Sequence, residues 1–255
     1  MSKFLRDTRT VFIREFLPSL RDPYSPILTM AQPLILLGLF GPLLGGIMAP
    51  GAVGAESTLQ WFVPGVLVMI ALFGTGAVGY GLLTEVETGS YERLLVSPLS
   101  RSALMVGKSL KEMAPLMVQA AVIVLALLPF GFRAPVLPVL LGLVLLGFLG
   151  IGLGAMSYAL AISVRHQPAM FWSVQTFLQF PLMILSGMML PLETGPAWMR
   201  AVAAFNPLKY VVDAERALFA GQVWAPEVGW GLLATVLLGV LGLTLGIRAI
   251  RHSGV

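Results

Sequence analysis

The sequence predicts an all-α integral membrane protein with six transmembrane helices, an N-terminal amphipathic cytoplasmic helix and short outer helices between spans five and six. Hydrophobic residues make up 57% of the 255 residues and charged residues only 11%, whereas soluble domains carry about 25% charge. The apolar residues occur in long unbroken runs, unlike the alternating pattern of a transmembrane β-barrel. Disordered chains are polar and rich in charge, so the composition also excludes disorder.

The N-terminal segment, residues 1–25, is predicted to form a helix over residues 3–21 that is too polar to span a membrane. At 100° per residue its polar side chains share one arc: Lys3, Arg6, Asp7, Thr10, Arg14 and Arg21. A basic amphipathic helix of this kind lies in the membrane interface. Two interpretations remain open, a positively charged anchor and a helix that also contacts a partner protein.

Six apolar segments between residues 26 and 250 are long enough to cross a bilayer, which takes roughly 20 mostly apolar residues. They cover residues 26–48, 59–83, 110–129, 137–163, 169–190 and 228–247. The apolar core of a secretory signal has only about 7–15 residues. We therefore expect the first span to be retained as a membrane helix.

The distribution of Lys and Arg predicts that both termini are cytoplasmic. Twelve of the 16 Lys and Arg residues fall in the N-terminal segment, the loop after the second span, residue 165 and the C-terminal tail. The other four are Arg133, Arg200, Lys209 and Arg216. Positively charged residues concentrate on the cytoplasmic side of membrane proteins, and an even number of spans agrees with this orientation.

The loop after the second span, residues 84–102, carries Glu85, Glu87, Glu92 and Arg93. Gly89 permits a sharp turn, and residues 90–96 are predicted to form a short helix that ends at Ser97-Pro98. Ser100 is a good N-cap for the next helix. Two interpretations remain, a surface that receives force from a soluble partner and an ordinary solvated loop.

The segment 191–227 is predicted to lie outside and is too polar to span, yet it contains Trp198, Phe205, Tyr210 and Phe219. We expect two short helices with a break at Asn206-Pro207, because the residue before a proline disfavours α geometry. These helices are expected either to lie at the outer interface or to dip partway into the membrane.

Signatures of enzymes are missing from the sequence. There is no cysteine and no HExxH or G-x-S-x-G motif, and the two histidines have no metal-ligand spacing. Gly107-Lys108-Ser109 resembles the end of a phosphate-binding loop, but Ser102 stands where the first glycine belongs. No basic stripe suggests nucleic acid. We expect a chain that is not an enzyme and binds no cofactor or metal.

These motifs resemble the membrane subunit of an ABC exporter of the type 2 permease family, in the daunorubicin-resistance and nodulation-factor export branch. The matching pieces are EVETGSYERLL at 85–95, SPLSR at 97–101, Gly107-Lys108, and NPLKY at 206–210 with Asp213 and Arg216. The resemblance covers nearly the whole chain, and the first block is its most specific part.

The resemblance implies a permease subunit in the bacterial-type inner membrane that pairs with a second copy of itself or a related permease. Each half would dock on an ABC ATP-binding subunit, which would hold ATP and Mg. The residues implied in this docking are Glu85, Glu87, Gly89, Glu92, Arg93 and, as a smaller contact, Arg165. The segment 1–25 would be the connecting helix and 84–102 the coupling loop.

The fifth span carries the candidate substrate residues. Gln175 and Gln179 lie one turn apart on the same face as Trp172, and an unpaired amide in hydrocarbon costs several kcal/mol. This face therefore forms either interhelical hydrogen bonds or a pathway at a dimer interface. Glycines four residues apart, at 41/45, 150/154 and 242/246, similarly indicate either internal packing or dimerisation.

The function predicted is export of a hydrophobic or amphiphilic small molecule, such as a drug, natural product or lipid-like compound. The alternatives are a transporter that works without an ATPase and a lipid-handling membrane protein. The coupling-like loop favours the ATP-driven exporter. The outer segment is short, which favours a small substrate over a long polysaccharide.

Overall fold

The computed structural model describes residues 3–21, 30–31, 33–39, 58–132 and 135–252, and their regular structure is helical throughout. In chain order the helices are α1 (Lys3–Arg21), α2 (Thr58–Glu87), α3 (Ser90–Leu95), α4 (Arg101–Lys111), α5 (Met113–Leu127), α6 (Val136–Ser163), α7 (Ala169–Ile184), α8 (Ala197–Ala203), α9 (Pro207–Phe219) and α10 (Pro226–His252). Short 3-10 turns cover Leu128–Phe130 and Leu192–Thr194.

Four helical stretches within the described residues are long and apolar enough to cross a membrane: Leu59–Glu87, Arg101–Phe130, Val136–Ser163 and Pro226–His252. The shorter apolar helix Ala169–Ile184 occupies the place of the fifth predicted span. Residues 30–31 and 33–39 are helical, but the rest of the predicted span 26–48 lies outside the described residues. The chain is thus a helical multi-pass membrane protein, and the count of six spans stays a prediction.

Two helical stretches differ in extent from the predicted spans by six residues or more. The third helical stretch begins at Arg101 instead of residue 110, because α4 runs into α5 with only a local break at Glu112. The fifth ends at Ile184 instead of residue 190. Turns follow it, and Gly187 adopts a φ of 75°, a left-handed conformation that ends helices.

The spans alternate in direction and create two ends of the bundle. At the α9 end, Arg216 of α9 binds the backbone of Trp61 near the start of α2. At the α3 end, Lys108 of α4 binds Glu85 near the end of α2. The N-terminal helix α1 packs on α4 and so also lies at the α3 end.

Helix α6 lies at the centre of the bundle and packs against α2, α5, α9 and α10. Its closest neighbour is α10, where a Cβ added to Gly242 would lie 2.1 Å from the carbonyl oxygen of Gly152. Gly246 faces Met105 in the same way, and Gly150 and Gly154 face Leu116 and Glu112. These two glycine pairs therefore serve packing within the chain; the pair 41/45 lies outside the described residues.

Candidate functional site

The short helix α3 is held against the bundle by one face and is open to solvent on the other. Gly89 precedes it with a φ of 69° and produces the predicted sharp turn. Tyr91 and Leu94 are buried in a hydrophobic cluster with side chains of α2, α4, α6, α7 and α10. Glu92 and Arg93 point away and are exposed, so α3 presents a charged surface at this end.

The loop after α3 confirms the predicted cap. Ser100 accepts a hydrogen bond from the backbone nitrogen of Ala103 through its side chain, at 3.2 Å. The backbone nitrogen of Ser100 in turn donates to Oδ2 of Asp7, at 3.2 Å. Asp7 is buried, so α1 is attached at the point where α4 begins.

A buried ion cluster lies behind α3 and joins three helices. Nζ of Lys108 lies 2.6 Å and 2.9 Å from the two carboxylate oxygens of Glu85 and 3.1 Å from Oε1 of Glu15. The Lys108 side chain is only 2% exposed. This single cation therefore connects α4 to α2 and to α1, and we call Glu15, Glu85 and Lys108 the ion triad.

The triad changes the interpretation of two sequence features. Gly107, Lys108 and Ser109 lie inside the continuous helix α4, so they do not form a phosphate-binding loop. Glu15, which interrupts the basic and apolar arcs of the N-terminal helix, points to Lys108. An acidic residue out of place on an amphipathic helix was the available signal for this contact.

The predicted docking residues gather at the α3 end with different exposures. Glu87, Glu92 and Arg93 are exposed, whereas Glu85 is engaged inward by Lys108. Arg165 follows the end of α6, and its Nε lies 3.2 Å from Nε2 of His166. Of the predicted docking residues, those that are exposed therefore follow Glu85 in the chain.

The candidate substrate residues on α7 divide into two groups. Gln179 is buried and its Nε2 donates to the carbonyl oxygen of Leu72 at 2.8 Å, so it joins α7 to α2 as the interhelical interpretation expects. Trp172 is 46% exposed. Its ring lies 5.4 Å from the ring of Tyr80 on α2. Tyr80 was not among the residues predicted from the sequence.

Close approach of α7 to α2 depends on Gly76. A Cβ at Gly76 would lie 2.0 Å from Nε2 of Gln179 and 2.3 Å from Nε2 of Gln175. Both amides therefore point at the same part of α2. Gln175 is only partly buried and lies between the buried Gln179 and the half-exposed Trp172 along the helix.

At the α9 end the predicted break at Asn206-Pro207 is confirmed. Asn206 is the N-cap of α9, accepting from the backbone nitrogen of Leu208 at 3.0 Å, and Pro207 takes the first helical position. Nδ2 of Asn206 donates to the carbonyl oxygen of Leu182 at 2.7 Å. The hydroxyl of Tyr210 donates to the carbonyl oxygen of Ala204 at 2.8 Å, so α8 and α9 are tied together.

Arg216 fastens α9 to the spans. Its Nε and Nη2 donate to the carbonyl oxygens of Trp61 and Gly187, at 3.2 Å and 2.7 Å, and the guanidinium lies 3.9 Å from the centre of the Trp61 ring. From the sequence, Arg216 was one of the residues that carry the resemblance, and no contact with the spans was predicted for it. In the structure α9 packs against α2, α6 and α10.

Comparison with known proteins decides the family. The profile described as ABC-2 type transporter matches residues 6–220. The chain belongs to the ABC-2 type transporter family. It is therefore the membrane-spanning permease subunit of an ABC exporter, and ATP hydrolysis belongs to a separate subunit.

Three relatives illustrate the relationship. The chain is 28% identical over 236 residues to a daunorubicin resistance ABC transporter permease protein of Streptomyces coeruleorubidus, covering 91% of this chain and 81% of the relative. It is 25% identical to a probable doxorubicin resistance ABC transporter permease protein of Mycobacterium tuberculosis, covering 91% and 84%. It is 29% identical to a probable multidrug ABC transporter permease of Escherichia coli, covering 74% and 51%.

Proposed function

We propose that this ABC-2 permease subunit exports a hydrophobic or amphiphilic small molecule, and that α3 is the surface on which its ATP-binding subunit docks. The observation that supports docking is the division of α3 into a buried face, with Tyr91 and Leu94, and an exposed charged face, with Glu92 and Arg93. A helix fixed in this way passes a push from a soluble partner into the bundle.

The ion triad couples a movement of α3 to three helices of the bundle. Glu85 lies only five residues before α3 and binds Lys108, which also binds Glu15. When the ATP-binding subunit moves α3, the cytoplasmic ends of α2, α4 and α1 therefore move together. Rigid-body motion of packed helices is a common way to change which side of a membrane protein is open.

Glu87→Lys tests the docking surface. Glu87 is exposed, so we expect the substitution to change the free energy of unfolding by about 0.5 kcal/mol or less while co-purification of the ATP-binding subunit is lost. Glu227→Lys is the matched control, because Glu227 is an exposed glutamate at the α9 end. Glu87 is the last residue of α2, directly before the turn into α3, so equal co-purification of the wild type and Glu87→Lys would show that the ATP-binding subunit does not dock on this turn.

The substrate pathway is proposed to run along α7 at an interface with a second copy of the chain or a related permease. Trp172 and Tyr80 offer a partly exposed aromatic surface, and the relatives are named for resistance to daunorubicin, doxorubicin or multiple drugs. A substrate held mainly by apolar contact needs few polar groups to orient it. Gln175 lies one turn after Trp172 on α7 and is only partly buried, so it is the polar group proposed to orient the substrate.

Gln175→Leu and Gln179→Leu separate recognition from packing. We expect Gln175→Leu to change the relative transport rates of different amphiphiles while the assembled transporter stays intact. Gln179→Leu should lower thermal stability without changing that preference, because Gln179 is bonded within the chain. Identical preference in the wild type and Gln175→Leu would place the pathway elsewhere.

In this proposal the protein lies in the bacterial-type inner membrane with both termini in the cytoplasm and the α9 end outside. The chain itself holds no cofactor, while the ATP-binding subunit holds ATP and Mg²⁺. Exposed aromatic side chains at the α9 end, Trp198, Phe205, Trp224 and Trp230, support its placement at a membrane–water interface, where Trp is enriched, and the distribution of Lys and Arg favours the outer one.

A further inference from the structure

We propose that Glu215 is a proton-binding latch: helix α9 stays docked in the bundle while the Glu215 carboxyl carries a proton, and it is released when the carboxyl ionises. The latch is a property of the α9 end, which lies at the opposite end of the bundle from α3. It goes beyond the proposed function and does not rest on it.

The position of Glu215 carries this inference. Its side chain is 0% exposed, and neither carboxylate oxygen has a hydrogen-bond partner among the residues that the structure describes. The carboxylate faces Gly142 of α6, where an added Cβ would lie 2.6 Å from Oε2 and 3.2 Å from the ring of Phe219. An ionised carboxylate in such surroundings is strongly destabilised, whereas a protonated one is tolerated.

The neighbouring charges on α9 do not compensate Glu215. Lys209 binds Asp213 at 3.0 Å, and Asp213 also lies 3.9 Å from Arg216. Two nitrogens of Arg216 donate hydrogen bonds to the carbonyl oxygens of Trp61 and Gly187. These groups form their own network on α9, and Glu215 is not part of it.

The helices packed against α9 also bring no charge to Glu215. Helix α6 contains no Asp, Glu, Lys, Arg or His, and its Tyr158 bonds to Glu112. The charged residues of α2, Glu85 and Glu87, lie at the far end of that helix. On α10, Glu227 is exposed in the first turn, and Arg248, Arg251 and His252 lie at the other end.

Glu112 provides a contrast within the same chain. It is also buried, but its Oε1 accepts a hydrogen bond from the hydroxyl of Tyr158 at 2.7 Å and lies 3.6 Å from Nζ of Lys111. The fold thus supplies partners to one buried glutamate and none, among the described residues, to the other. A buried carboxyl without a partner among the described residues is suited to respond to pH.

The direction of the pH effect follows from burial. Burial raises the pKa of Glu215 to about 8, from an ordinary value of 4.5. Docked α9 therefore holds a proton that released α9 loses once the pH exceeds its ordinary value. Docking is strongest at low pH, weakens by up to tenfold per pH unit as the pH rises toward about 8, and changes no further above it.

Cysteine labelling of the full chain in lipid nanodiscs tests the latch, since the native chain has no cysteine. In a nanodisc the labelling reagent reaches both faces of the membrane. Val211→Cys places a thiol one turn before Glu215 at a fully buried position, where a water-soluble maleimide reacts only after α9 is released. Gln222→Cys, at an exposed position beyond α9, corrects for ionisation of the thiol. The measured quantity is the ratio of the two labelling rates.

We expect this ratio to rise by up to tenfold per pH unit between about pH 5 and about pH 8 and then to level off. With Glu215→Gln, which cannot ionise, the ratio should stay low at every pH. Glu227→Gln, a change of an exposed glutamate, should leave the wild-type profile unaltered. A pH-independent ratio in the chain with Glu215, or the same profile with Glu215→Gln, would overturn the latch.

Thermal unfolding gives a second readout that needs no cysteine. The Tm of the wild type should fall relative to that of Glu215→Gln as the pH rises through the same window. Parallel Tm profiles of the two proteins would contradict the proposal even if Val211→Cys did not fold.

Discussion

Replacing Lys108 by methionine removes the cation that joins α1, α2 and α4 while keeping a long apolar side chain. The structure places Nζ 2.6 Å from Glu85 and 3.1 Å from Glu15. Removing one partner of a buried ion pair costs about 3–5 kcal/mol. The Glu85 and Glu15 side chains are 28% and 14% exposed and can partly regain water, so we expect a loss near the lower limit, about 3 kcal/mol.

The free energy of unfolding of the purified chain in mixed micelles measures this loss. Arg93→Met is the matched control, because Arg93 is exposed on α3 and should change stability by about 0.5 kcal/mol or less. Adding Glu15→Gln and Glu85→Gln to Lys108→Met should restore much of the stability, since the uncompensated charges are then gone. Lys108→Met with wild-type stability would refute the structural role of the triad.

Two further substitutions test how the helices are joined. Gly242→Val should lower the free energy of unfolding by about 1–3 kcal/mol, because the new side chain meets the backbone of α6. Gly239→Val is the control and should cost less, since the space around the added Cβ is open. Equal losses in the two variants would contradict the close approach of α6 and α10. Arg216→Met removes two hydrogen bonds to carbonyl oxygens. It should lower the free energy of unfolding by about 3 kcal/mol in the same assay. Unchanged stability would mean that Arg216 does not hold α9 against the spans.

Much of the α3 end was predictable because its signals are local. Gly89 and the cap at Ser100 depend on residues within three or four positions along the chain, and both occur as predicted. The break at Asn206-Pro207 is equally local, since the proline itself restricts the residue before it. The apolar runs also located the four long apolar helices at the second, third, fourth and sixth predicted spans and the shorter helix α7 at the fifth, because long unbroken hydrophobicity is visible in the sequence without knowledge of spatial neighbours.

What the sequence did not predict depends on contacts between distant segments. Lys108 meets Glu15 and Glu85 only after three helices pack, so the sequence alone left it as a near-match to a phosphate loop. Glu215 lies among loop-like charges in the sequence, but packing of α9 against α6 removes it from water. The hydrogen bond from Gln179 to the carbonyl oxygen of Leu72 likewise depends on the packing of α7 against α2, which the sequence does not show.

The most direct test of the account is a photo-cross-link between α3 and the ATP-binding subunit in the assembled transporter. A photoreactive amino acid at Glu92, which is exposed on α3, should form a covalent adduct with the ATP-binding subunit. The same amino acid at Ala201, which is exposed on α8 at the α9 end, should form none. An adduct from position 201 and none from position 92 would contradict the assignment of α3 as the docking helix.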